Sequence, residues 1–102
     1  MKKILFLIFL GFSQISSAGR YESGNSLYER MTNPRIGDQV YAKGYLIGVV
    51  DAEYDNCNLG GVTDTQIFDS VKQYLSNYPE RRQYKASEIV KSVMKNSYGC
   101  KN

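Results

Sequence analysis

The 102-residue sequence contains no histidine and no tryptophan, and only two cysteines and two prolines. Without histidine no Ser–His or Cys–His pair can activate a nucleophile, and a zinc site would have to be built from carboxylates alone. The acidic residues are scattered, apart from Asp51, Glu53 and Asp55. On a helix Asp51 and Glu53 point apart while Asp51 and Asp55 share a face, a poor arrangement for the paired carboxylates of a glycosidase. The same three acids alternate like calcium ligands, but the glycine is misplaced and the closing glutamate is missing. These gaps argue against an enzyme, a metal centre or a cofactor. The only basic cluster is Arg81-Arg82 with Lys85, too small a patch for nucleic acid.

The first eighteen residues have the anatomy of a secretory signal. Met1-Lys2-Lys3 is a positive start, Ile4 to Phe12 a nine-residue apolar stretch, and Ser13 to Ala18 a small polar tail. The apolar stretch is too short to span a bilayer, and no cysteine follows it to accept a lipid. The expected division is a signal peptide over 1–18, cleaved after Ala18, and one domain over 19–102, exported without stable membrane association. Loss of Lys2 and Lys3 leaves 11 basic against 10 acidic residues, a net charge near +1.

A domain of 84 residues is near the size at which a core alone supplies only ~3–5 kcal/mol. In an oxidising compartment Cys57 and Cys100 are expected to pair, closing a loop whose cross-link stabilises by ~4 kcal/mol in the chain-entropy model.

The apolar periodicity is helical throughout. Ala86, Ile89, Val90, Val93, Met94 and Tyr98 recur at spacings of three and four, and Gly99 follows as a helix stop. Thr63-Asp64-Thr65-Gln66 has capping-box form, and Ile67, Phe68, Val71, Leu75 and Tyr78 continue a stripe that Pro79 ends. A shorter helix is expected around Asn25 to Met31, stopped by Asn33-Pro34. The run KGYLIGVVDAEYDNC, Lys43 to Cys57, sits in a central helix from about Ile36 to Tyr54, since no second strand exists to pair with it. The expected fold is all-α, four to five helices with one disulfide.

Gly44 and Gly48 each cost about 1 kcal/mol against alanine inside a helix. Four apart, they share a face and admit a close neighbour, either a crossing helix of the same chain or one across a homodimer. Asp51, Glu53 and Asp55 lie where the helix dipole disfavours negative charge, so a compensating partner is expected, with Asp51 anchored by a buried one. The nine tyrosines suit both a protein interface and a small core.

These blocks resemble the Rap1a/Tai family of type VI secretion immunity proteins, of the Tai4-like, amidase-inhibiting kind. Lys43 to Ala52 is similar to the family's G-Y-(I/L)-x-G-(V/I)-x-D block, with Gly44, Tyr45, Gly48 and Asp51 at the matching positions. Val71 to Glu80 is similar to its V-x-x-Y-L-x-x-(H/N)-P-E, and Cys57 and Cys100 stand at the family's cysteine positions. The likeness runs from about Tyr41 to Cys100.

The resemblance implies a periplasmic, all-helical homodimer that blocks a peptidoglycan amidase, a Tae4-like NlpC/P60-type cysteine enzyme. Two inhibitor chains and two effectors would form a heterotetramer, with a protruding loop entering the amidase cleft and a helix of the dimer partner adding contacts. Gly44, Tyr45, Gly48 and Asp51 are structural or dimer-packing positions in this reading. No family motif marks the inhibitory loop. The first candidate is Asn77, Tyr78, Glu80, Arg81, Arg82, Gln83 and Tyr84, and the second is Glu53, Asp55, Asn56, Asn58 and Leu59. The family's further cysteine pair near the first helix is missing here between Leu27 and Ala42, an absence that leaves that helix less restrained. A competing reading is an HdeA-like periplasmic acid-stress chaperone, which is also small, helical, dimeric and closed by one disulfide.

Overall fold

A computed structural model describes residues 21–53, 55 and 57–101. The signal sequence expected over 1–18 lies outside the described residues, as do Tyr54 and Asn56. The described residues fold into four helices, α1 (Gly24–Thr32), α2 (Ile36–Glu53), α3 (Asp64–Asn77) and α4 (Ala86–Tyr98), with a 3-10 turn over Pro79–Gln83 between the last two. Helix boundaries fall within a residue or two of those expected from the apolar spacing.

Both capping boxes use side chains to satisfy amides that a helix start leaves open. At α3 the Gln66 amide donates to Thr63 Oγ1 at 3.2 Å, and the Thr63 amide donates to Gln66 Oε1 at 2.8 Å. At α1 the box is made by two serines, with the Ser23 amide donating to Ser26 Oγ at 3.1 Å and the Ser26 amide donating back to Ser23 Oγ at 3.2 Å. Helix α4 ends as its sequence requires, on Gly99 in the left-handed region at φ 64°.

The four helices enclose an aliphatic core. Leu27 and Met31 come from α1, Ala42, Leu46 and Val50 from α2, Ile67, Val71 and Leu75 from α3, and Ala86, Ile89, Val90, Val93 and Met94 from α4. No described tyrosine is fully buried; Tyr28, Tyr45, Tyr74 and Tyr98 form a half-buried shell around the core, and Tyr21, Tyr41, Tyr78 and Tyr84 are exposed. Tyr98 lashes α4 to α3 through its hydroxyl, 2.6 Å from Ser70 Oγ and 3.3 Å from the Gln66 carbonyl. The disulfide joins Cys57, after α2, to Cys100, after α4.

The first helix is better restrained than its lack of cysteines suggests. The Gly24 amide donates to the Tyr84 carbonyl and the Ala86 amide to the Glu22 carbonyl, both at 2.8 Å, forming an isolated antiparallel bridge between Ser23 and Lys85. This pairing also serves the start of α4, whose N-cap residue Lys85 offers no side-chain cap. Arg30 fixes the other end of α1 against α2. Its Nε lies 3.3 Å from Glu22 Oε2, its Nη1 3.4 Å from Asp38 Oδ1, and its guanidinium 4.0 Å above the Tyr41 ring.

Candidate protein-binding surface

The 3-10 turn after α3 begins at Pro79, whose fixed φ suits the first position of a helical turn. It is closed by the Arg81 amide donating to the Tyr78 carbonyl at 2.9 Å and the Tyr84 amide donating to the Arg81 carbonyl at 3.2 Å. None of its residues is buried. Asn77, Tyr78, Glu80, Arg81, Gln83 and Tyr84 are all exposed.

The turn is continuous with an aromatic patch. The rings of Tyr74 and Tyr78 lie 4.9 Å apart, and Arg81 Nη1 donates to the Tyr74 hydroxyl at 3.4 Å. Beside them is an open depression of about 150 Å³ lined by Tyr74, Arg81, Tyr84, Glu88, Ile89 and Ser92. Exposed tyrosine and arginine around a shallow pocket is the composition of protein-binding hot spots, since both offer large contact area and a polar tip. Sequence reasoning placed Tyr78, Arg81 and Tyr84 here but missed Tyr74, Glu88 and Ser92. Tyr74 lies one helical turn before Tyr78, a spacing that could have revealed it.

Arg82 differs from its neighbours in the turn. Its side chain faces inward, with Nε donating to the Leu75 carbonyl at 2.7 Å and the guanidinium 4.0 Å above the Tyr28 ring.

The second group of candidates gathers at the disulfide. Asp55 and Asn58 are exposed, Glu53, Cys57 and Leu59 are half-buried, and Asn56 lies outside the described residues. Glu53 lines a depression of about 210 Å³ together with Lys91, Lys95, Cys100 and Lys101. Those lysines, with Glu88 opposing them on the same rim, give Glu53 the positive surroundings that an acid at the end of α2 calls for. Asp51 is a correction to the sequence reading: it stands exposed, without a hydrogen-bond or ion-pair partner among the described residues, and anchors nothing there.

Gly44 and Gly48 correct one of the two packing readings as well. Both are exposed, and among the described residues a Cβ on either would meet no atom within 4 Å, so neither α1, α3 nor α4 crosses there. They share the outer face of α2 with Ile36 and Val40, 77% and 64% exposed, and with Ile47. The helix is therefore apolar on both sides, as expected of one enclosed by neighbours, yet only its inner side is covered. Tyr45 lies between the two faces. Its hydroxyl pKa is raised from the ordinary 10.0, first by burial, with smaller upward contributions from Glu22 and Tyr41 that Ser87 opposes.

Small helical domains with an exposed tyrosine–arginine turn and shallow, open depressions belong to the class of proteins that bind other proteins. A family model describing the Rap1a immunity proteins matches residues 23–100. The chain belongs to that family. Membership implies immunity toward a type VI effector protein, an inhibitor's role in place of the acid-chaperone alternative, for which there is no support. No curated protein matches the chain.

Proposed function

We propose that this protein is exported to the periplasm by its first eighteen residues and there binds and blocks a peptidoglycan amidase delivered by neighbouring cells. The amidase is of the Tae4-like, NlpC/P60 cysteine type. The reading of the binding site is carried by one observation, the exposed turn Pro79–Gln83 with its flanking Tyr74, Tyr78 and Tyr84. A short, closed turn set on the ends of two rigid helices loses little freedom on binding, which suits insertion into an enzyme cleft. Glu80, Arg81 and Gln83, all exposed, make the polar contacts in this reading, and the tyrosines cover the rim.

The outer face of α2 is the second contact, toward another copy of the chain. Ile36, Val40, Gly44, Ile47 and Gly48 form a continuous apolar strip that allows helices to approach closely, and a homodimer so formed would carry two effectors as a heterotetramer. The test is binding of the chain from Gly19 onward to a purified Tae4-like amidase. Substitution of Glu80, Arg81 and Gln83 together by alanine is expected to abolish inhibition of peptidoglycan cleavage. Undiminished inhibition would remove the turn from the interface and favour the rim around Glu53, Asp55 and Asn58.

A further inference from the structure

Arg82 is the side chain of the turn that faces the core, whereas Arg81 reaches the exposed hydroxyl of Tyr74. Three groups converge on Arg82. The carbonyl of Leu75, in the last turn of α3, has no partner within that helix and accepts from Arg82 Nε at 2.7 Å. The ring of Tyr28, half-buried against the core, lies 4.0 Å beneath the guanidinium. On the backbone side, Gly24 approaches so closely that a Cβ there would stand 2.7 Å from the Arg82 carbonyl oxygen and 2.8 Å from its Cα. Backbone hydrogen bonds at Arg81 and Tyr84 join the turn to its flanks, and the hydrogen-bond geometry of a 3-10 turn is poorer than that of an α-helix.

We propose that Arg82 is a positioning residue: its bond to Leu75 and its stacking on Tyr28 hold the turn in one conformation before any partner arrives. This inference rests on the turn being the effector-binding element. Arg82 then acts through Glu80, Arg81 and Gln83 without itself touching the partner. A turn formed in advance binds without an ordering step, whereas a turn formed only part of the time weakens the apparent affinity by the fraction in which it is formed.

The test compares Arg82→Met, which keeps the stem but removes donor and charge, with Arg82→Lys, which keeps a charged donor able to reach the Leu75 carbonyl. Amide hydrogen exchange is followed by NMR on the free protein, so the first measurement needs no partner. In Arg82→Met the Arg81 and Tyr84 amides are expected to exchange about tenfold faster, the loss typical of one charge-assisted hydrogen bond, with Val90 and Val93 unchanged. Arg82→Lys should restore most of the protection. Exchange at Arg81 and Tyr84 that does not change in Arg82→Met overturns the proposal, as does equal acceleration in every helix. Should Arg82→Met fail to fold, Tyr28→Leu removes the stacking ring while keeping an apolar contact, and the same local acceleration is expected. The second measurement is the affinity for a purified Tae4-like amidase, expected to weaken in Arg82→Met in proportion to the fraction of chains in which the turn stays formed, a fraction that the exchange rates of the free protein supply. Faster local exchange with an affinity that does not follow that fraction leaves the positioning role standing and overturns the assignment of the turn to the amidase.

Discussion

Gly24 and Arg82 meet backbone to backbone: a Cβ on Gly24 would stand 2.7 Å from the Arg82 carbonyl oxygen, 2.8 Å from its Cα and 2.6 Å from Ile89 Cδ1. Two of these atoms belong to main chain that is already tied by the neighbouring Gly24–Tyr84 hydrogen bond, so they have little room to yield. Gly24→Ala is therefore expected to destabilise the domain by ~1–3 kcal/mol, the range for overpacking a tight site, despite alanine's better helix propensity. Urea denaturation measures it, and a variant as stable as the wild type would show that the first helix can move away from the turn.

The disulfide between Cys57 and Cys100 spans 43 positions and ties the end of α2 to the end of α4. Both termini carry half-buried cysteines packed on the edge of the core, so the cross-link completes a boundary the helices leave open. Replacing both cysteines by serine is expected to lower stability by ~4 kcal/mol in the chain-entropy model, a large share of the margin of a domain this small. The measurement is the urea midpoint with and without reductant. Reductant should shift the wild type toward the double variant and leave the double variant unmoved.

Tyr45 predicts a response to alkali. Burial raises its hydroxyl pKa above the ordinary 10.0, with Glu22 and Tyr41 adding to the shift and Ser87 opposing it. Above pH 10 the unfolded chain therefore releases this proton while the folded chain retains it. The associated stability is fully present below the unfolded pKa and declines as pH rises toward and through the folded one. Thermal melts between pH 8 and pH 11 are expected to show a falling midpoint that is shallower in Tyr45→Phe. Equal slopes in the two proteins would mean that other groups govern the alkaline limb.

What the sequence could not disclose is concentrated in contacts between distant segments. Helix positions followed from local signals, the three-and-four spacing around Val90 and the Thr63–Gln66 box, and local signals are read along the chain. The serine box at Ser23 uses a side chain outside the usual glutamate or glutamine pattern, and so gave a weaker sign. The Ser23–Lys85 bridge joins residues more than sixty positions apart through main-chain groups that every sequence possesses, and no side chain announces it. Arg82 and Arg81 read alike as exposed charges, yet the turn of a short helix sends one onto Tyr28 and the other to the hydroxyl of Tyr74 at the surface. At Gly44 and Gly48 the pattern marked a face of α2, but that none of α1, α3 and α4 lies against it depends on how those helices are arranged in space.

That face leads to the last prediction. Among the described residues nothing lies within 4 Å of a Cβ placed on Gly44 or Gly48, so alanine at either position should stabilise the isolated domain by about 1 kcal/mol through helix propensity alone. If the strip of Val40, Gly44, Ile47 and Gly48 packs against its counterpart in a second copy, larger side chains at the glycines must hold the two helices apart. The wild type is then expected to sediment as a dimer, and the double variant Gly44→Leu/Gly48→Leu as a folded monomer with an unchanged helical circular dichroism spectrum. A wild type that remains monomeric across the accessible concentration range would leave these glycines without a packing partner. Their ~1 kcal/mol cost each would then have to be accounted for by contact with the effector itself, and the leucine variant would lose inhibition without any change of mass.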